Sequence, residues 1–485
     1  MTDTQDRIPR PVLVICLVVV LGSMMSILDT TIVNVALATL SHDLHASISQ
    51  IQWVSTGYML SLAAVIPVSG WAARRFGAKR VYLVSVILFT LGSALCGLAT
   101  STTELVLFRV LQGLGGGMIM PIAQLMMAQA AGPKRMGRVM SIVAVPMMIA
   151  PILGPTLGGV IIEESTWRWI FYVNVPVGAL ALITAIRFLP SPERAPTDRL
   201  DYLGLALMAT GLPLITYGLA EIGSLGTFDS AKVIAPILAG IALVAFFCVH
   251  ALRVPRPLLN LGLYARSTFA AASVTMFCLG GALFGAMILM PLYLQDVRHY
   301  SVIQTGLLVA PQGLGAALTM PFVGRLADRR SAGPLALFGV ILTTFATIPF
   351  AFVGTHTSIL LLAVAMVARG SGIGFAFMPA MTAAYATLER SELSDATPQM
   401  NVLQRIGGSI GTAVLAVVLQ RASAGTHTAA GAASGFDTAF WAAAGVSAIA
   451  VVPCVILVRT ERRARAARAA EPAVEPGAVA EAVAV

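Results

Sequence analysis

GWAARRF at residues 70–76 and GRLADRR at 324–330 share the pattern G-x-x-A-x-R, and each closes a long apolar run. The second copy stands 254 positions after the first. A second pair, GLGGG (113–117) and GSGIG (370–374), shares G-x-G-x-G at an offset of 257. Two unrelated motifs recurring at nearly one spacing predict a chain of two related halves. Around them, apolar runs long enough to cross about 30 Å of hydrocarbon fall at about 12–38, 50–70, 80–100, 104–128, 137–162, 169–189 and 202–221. Further runs follow at about 233–252, 268–295, 302–323, 334–353, 358–387, 397–420 and 438–458. The alternating period of a membrane barrel is absent, so every backbone polar group in the bilayer has to be bonded within a helix. The expected fold is an all-α polytopic membrane protein with fourteen transmembrane helices, two six-helix bundles plus two extra central ones. The bundles are expected over 1–200 and 256–459, the inserted pair over 201–255, and a disordered cytoplasmic tail over 460–485.

Composition points the same way. Of 485 residues, 57% are hydrophobic and 11% charged, where soluble domains carry roughly 25% charged residues. The net charge of +9 would suit nucleic acid, but its distribution argues against that partner. Of the 31 basic residues, about 24 fall in connections on one side of the predicted helices, 4 on the other and 3 within spans. That asymmetry places the chain in the cytoplasmic membrane with both termini cytoplasmic. The five cysteines lie within predicted spans and read as small buried hydrophobes, not a disulfide framework. His42, Asp43 and His45 sit in one short loop with no further ligand set, so no metal site is expected.

SMMSILDTTIVNVAL (23–37) places a carboxylate, Asp29, inside the first span. A charge at that depth costs about 2.5–3.5 kcal/mol on insertion scales, which marks it as a functional candidate. Ser23, Ser26, Asp29, Thr30 and Asn34 share an arc of about 140° and predict a polar face turned to a bundle cavity. Arg109, about five residues into the fourth helix, lies within about a helical turn of the same depth and is the expected partner. Aligning Gly113 with Gly370 puts Met366, not Arg369, opposite Arg109, so the second half is not expected to repeat the charged centre. Pro151, Gly154, Pro155, Gly158 and Gly159 predict a kinked helix whose small face lets a neighbour approach closely. Trp53, Tyr58, Gln124, Asn174, Phe284, Gln312, Asn401 and Gln404 are candidates for a central cavity, each with ordinary helix packing as the alternative.

LDTTIVNVAL (28–37), RVLQGLGGG (109–117), GPTLGG (154–159), WRWIFYVNVPVG (167–178), PLYLQDV (291–297) and NVLQRIGGSIGTAV (401–414) together resemble the major facilitator superfamily. The resemblance is to its 14-helix drug:proton antiporter branch and spans about residues 10–458. It implies alternating access, coupling at Asp29 and Arg109 with the proton as the only cofactor-like species, and an outer gate in the helix-5 glycine motif. It also implies a conformational lock around Gly70, Arg75, Gly77, Arg80, Gly113 and Asp328. The family carries an acid where this chain has Arg74, and Asp395 is the candidate carboxylate for Arg74 or Arg75.

The expected activity is proton-coupled efflux of amphipathic drugs by a monomer that meets lipids and small molecules. No ATP-binding motif appears in the sequence, so ion coupling is the economical energy source. Rival readings are a transporter selective for one metabolite, a transporter-like sensor and a membrane enzyme. The last would need clustered acids or histidines at one membrane face, and the sequence offers none.

Overall fold

Chain order and apolar length translate directly into helices. The computed structural model describes residues 8–132, 135–190, 199–354, 356–424 and 429–470. The first half comprises α1 (Arg10–Asp43), α2 (Ser49–Phe76), α3 (Ala78–Leu98), α4 (Thr102–Ala131), α5 (Met136–Glu164) and α6 (Trp169–Phe188). The inserted pair is α7 (Tyr202–Gly223) and α8 (Ala231–Arg253). The second half comprises α9 (Ser267–Val297), α10 (Val302–Arg329), α11 (Ala332–Phe352), α12 (Ile359–Tyr385), α13 (Leu393–Ser423) and α14 (Ala433–Ala464). Thirteen of these are long and apolar enough to span a bilayer by described residues alone, and α5 is a further helix of 29 residues.

Helix starts carry a trace of duplication that the motifs had not disclosed. Ser47 and Gln50 form a capping box at the start of α2, and Ser301 and Gln304 form the same box at α10, 254 positions later. In each box the serine hydroxyl accepts from the Gln backbone N–H while the Gln carboxamide accepts from the Ser N–H, which satisfies two orphan donors.

Helix ends depart from the sequence reading. GWAARRF forms about the last two turns of α2; the chain turns only at Gly77, whose φ of 86° favours glycine. Residues 460–470, expected within a disordered tail, continue as helix to Ala470, because Ala, Arg and Glu are strong helix formers. Residues 471–485 lie outside the described residues.

The halves meet along two seams, where α5 packs on α10 and α2 approaches α13. Gly70 makes the second seam possible, since a Cβ there would run into the Ser394 carbonyl. The inserted pair packs back to back through Gly211 and Gly240 and leans on α2 and α13 from outside. Trp53 of α2 stacks on Tyr217 of α7 with ring centroids 5.8 Å apart. Only 17% of the apolar window of α8 is buried, which puts that helix at the periphery.

Asp201 ties this peripheral pair to the chain entering the second half. Its carboxylate accepts from the Gly204 N–H at 2.8 Å, the His250 ring at 2.9 Å and the Leu258 N–H at 3.1 Å. Burial pushes the carboxyl up, but these donors outweigh it and hold it below the usual carboxylate range. A carboxylate whose pKa is depressed by folding stabilises the folded state above its unfolded pKa of about 3.9 and loses that contribution as the pH falls through the folded value. Asp201→Ala is therefore expected to cost about 2 kcal/mol at neutral pH. Thermal melting of the two proteins should differ at pH 7 and converge below about pH 4; an equal gap at both would show that charge is irrelevant to this staple.

Candidate functional site

Asp29 does not face an open cavity. Both it and Arg109 are fully buried, sealed within the wall of the first half. Arg109 Nη1 donates to Asp29 Oδ2 at 2.6 Å and to Gln112 Oε1 at 2.8 Å, while its Nε donates to the Val54 carbonyl at 3.1 Å. Asp29 Oδ1 accepts from Gln112 Nε2 at 2.8 Å and Asn174 Nδ2 at 2.9 Å. Asn174 also donates to the Ser93 hydroxyl, which donates to the Phe171 carbonyl. Arg109 Nη2 has no hydrogen-bond acceptor, but the guanidinium lies 4.1 Å from the Tyr58 ring centroid and 5.9 Å from that of Phe171. Five helices thus converge on one carboxylate that accepts three hydrogen bonds and meets no solvent.

The expected polar stripe on α1 divides among its neighbours. Ser26 bonds the Tyr58 hydroxyl at 3.1 Å, and the Asn34 carboxamide oxygen accepts from Ser55 at 2.7 Å, both across to α2. Thr30 and Ser23 donate to carbonyls of their own helix. The cause is packing: α1 lies against α2 on one side and α5 and α6 on the other, which buries Ser23 and Asp29 but leaves Ser26 and Thr30 partly exposed and Asn34 exposed.

Arg369 sits closer to an Arg109 equivalent than the alignment suggested. It is buried, donating to Gln312 Oε1 at 2.7 Å, the Thr347 hydroxyl at 3.2 Å and the Ala282 carbonyl at 3.2 Å. Each half therefore has an arginine of its fourth helix reaching its first two, but only the first half supplies an acid. Gln312 is consumed in this packing.

Between the halves, Asn401 Nδ2 donates to Gln124 Oε1 at 2.7 Å. Around that bond Met276, Phe377, Met381, Met400 and Gln404 line a cavity of about 10 Å³, room for about one water. Phe284 is exposed and lies over Gly408, while Trp53 lines a separate space of about 510 Å³ near His45 and Thr100.

The arginine-rich ends are latched twice. Arg74 donates to Asp395 and, at 3.1 Å, to the Ser394 hydroxyl. On the other seam Arg138 Nε donates to Asp328 at 2.9 Å, with the Gly137 N–H donating to the same carboxylate at 2.8 Å. Arg74 and Asp328 occupy corresponding motif positions, and Asp395 follows Arg138 by 257. The two latches are thus the same contact with the charges exchanged. Of the neighbouring motif residues, Arg75 is exposed and has its own electrostatic contact, and Arg80 is exposed.

Glycines set the close approaches. A Cβ on Gly113 would strike Ser61 and the Tyr58 carbonyl, and one on Gly154 would strike Thr31. Gly158 packs on Ile32, Gly159 on Ile303 of α10, and Pro155 is half-buried beside them. The side chain of Pro151 lies outside those described.

Sequence reasoning passed over Ser93, Arg138 and Ser394 as site residues and read Gln112 only as part of the family pattern around Arg109. Gln112 stands one turn after Arg109, a spacing that could have placed it; Ser93 and Ser394 carry no local signal. It also counted Arg405 among the intramembrane charges without weighing it. That side chain lies mid-way along α13, half-buried, one turn after Asn401.

Two six-helix halves around a central seam, with latches at one end, define a multi-pass membrane transporter rather than an enzyme. The Major Facilitator Superfamily model matches residues 19–412, and the chain belongs to that family. The multidrug resistance protein B homolog of Mycobacterium tuberculosis (strain ATCC 25618 / H37Rv) is 41% identical over 417 residues, 85% of this chain and 77% of its own. Multidrug export protein EmrB of Escherichia coli (strain K12) is 30% identical over 402 residues, 81% of this chain and 77% of its own. Among solved structures, human organic anion transporter MFSD10 aligns with a TM-score of 0.63 at 14% identity, over 93% of this chain and 100% of that one. The proton:xylose symporter XylE aligns at 0.61 and 14%, over 91% and 94%. At such identities the structural likeness speaks for the fold.

Proposed function

We propose that this chain is a proton-coupled exporter of amphipathic compounds across the cytoplasmic membrane, working by alternating access with both termini cytoplasmic. The observation that carries the reading is the sealed Asp29–Arg109 network. Protonating Asp29 turns an acceptor of three hydrogen bonds into a group that must also donate, and removes the counter-charge of Arg109. Breaking such a buried pair costs about 3–5 kcal/mol. About 5.5 kcal/mol moves a two-state equilibrium from 1:99 to 99:1, so one proton is of the right size to drive much of the change. Since the carboxylate meets no solvent here, the proton enters and leaves only when the helices of the first half shift. The latches at Asp328 and Asp395 hold the arginine-rich end shut meanwhile, and the helix-5 glycines let α5 slide against α1 and α10. Relatives named for multidrug resistance and export support a broad cargo range.

Proteoliposomes with an imposed pH gradient test this with a panel of cationic, neutral and anionic amphiphilic dyes. Uphill accumulation of several dyes that collapses with a protonophore is expected. Movement only down each dye's own gradient, unaffected by pH, would end the coupling reading; uphill movement of a single compound would make the protein a selective transporter.

A further inference from the structure

The described helices hold one fully buried acid, Asp29, against three arginines in their middle turns: Arg109, Arg369 and Arg405. Asp29 neutralises Arg109. Arg369 spends its donors on Gln312, Thr347 and the Ala282 carbonyl, neutral acceptors that hold the second half together. Arg405 differs from both. Among the described residues it has no hydrogen-bond or ion-pair partner, and it is half-buried, so its guanidinium reaches open space. Arginine stays charged at any relevant pH, and an unpaired charge at this depth is costly. A structural role would have brought it an acceptor, as it did for Arg369.

Its surroundings are those of a ligand site. Asn401, one turn earlier on the same face, reaches Gln124 across the seam between the halves. Gln404, Met381 and Met400 line the cavity at that point. From the first half, Tyr58 lies within Coulombic reach of Arg405, and the same ring carries Arg109 on its face and bonds Ser26. Flexible apolar side chains, convergent amides and one uncommitted cation suit a body that is greasy and a head that is anionic. The cavity beside the Asn401–Gln124 bond, about 10 Å³, holds no such body in this state, so a cargo whose head meets Arg405 seats its body there only when the halves part.

We propose that Arg405 is the anchor for the anionic head group of an amphipathic cargo, a carboxylate or sulfonate received between α13 and α2. The proposal rests on the export reading above and refines its substrate class. A guanidinium offers the anion a bidentate fork that an ammonium lacks.

Equilibrium dialysis of the full chain in lipid nanodiscs, with empty nanodiscs as reference, tests it using 1-pyrenebutyrate and its uncharged methyl ester. The wild type is expected to hold the acid at least about tenfold more tightly than the ester, and Arg405→Gln to lose that factor while binding the ester unchanged. Should Arg405→Gln fail to fold, Arg405→Lys is expected to weaken the acid several-fold and leave the ester alone. Equal binding of the acid by wild type and variant, equal binding of acid and ester by the wild type, or no binding of either would overturn the proposal. Failure of the export reading would look different: head-group selectivity would depend on Arg405, yet flux in proteoliposomes would ignore the pH gradient.

Discussion

Asp29→Asn is expected to abolish uphill transport driven by a pH gradient while leaving exchange of cargo down its own gradient. The geometry explains why an isosteric change has so large an effect. Asp29 Oδ1 faces two amide donors and Oδ2 faces a guanidinium, so the site offers donors on every side. An asparagine must aim its NH2 at one of them, whichever way it is turned, and so imitates the protonated acid permanently. With no proton to release, the pH gradient has nothing to act on. The buried Arg109 also loses its counter-ion, worth about 3–5 kcal/mol, so the melting temperature should fall and the conformational balance should tilt toward the unlatched state. At about 1.4 kcal/mol per tenfold, a loss of coupled flux of about 100-fold or more follows. The measurement is dye accumulation against its gradient in proteoliposomes, alongside a melting curve; uphill transport at the wild-type rate would exclude Asp29 as the proton carrier.

Reversing one latch should be nearly as damaging, and reversing it completely should not. Arg74→Asp places two carboxylates face to face at the α2–α13 seam, where like charges cost several kcal/mol. Merely deleting the charge costs less, on the order of 1 kcal/mol, because Arg74 and Asp395 remain 30% and 18% exposed. Arg74→Asp alone is expected to hold the arginine-rich end open and cut coupled export more than about tenfold. The double variant Arg74→Asp with Asp395→Arg recreates the polarity already found between Asp328 and Arg138, and should recover most of the flux. Labelling of a cysteine introduced at buried Thr397, in a background with the native cysteines replaced, reports opening at this end. If the double variant labels and transports no better than Arg74→Asp, the charges at this seam are not what closes it.

The order and length of the helices were legible because hydrophobic runs are a local property: each span needs only its own residues to satisfy its backbone. Duplication was legible for the same reason, since Gly70 and Gly324 repeat at a distance any reader can count. Depth along a helix followed from residue number at a fixed rise, which is why Asp29 and Arg109 could be placed at a common level. The acid for Arg74 was legible only through a departure from the family pattern, which left one cation in want of a carboxylate.

Azimuth was another matter. The arc of α1 is a property of one helix, but which sector of it meets protein depends on the crossing of its neighbours. The expectation of a cavity face failed for Asp29 on that ground: Gln112 and Asn174 come from helices four and six and close over it. The second half lacks the charged centre, as the alignment implied, but only the packing shows that Arg369 reaches around its helix to Gln312 and Thr347. Sequence by itself determined fourteen helices, their pairing into halves, one acid within a span and the charges of the Arg74–Asp395 latch. Tertiary structure alone decided that Asp29 is sealed, that Arg369 is spent on neutral oxygens and that Arg405 is not, because the partner of a charge is a fact about other helices.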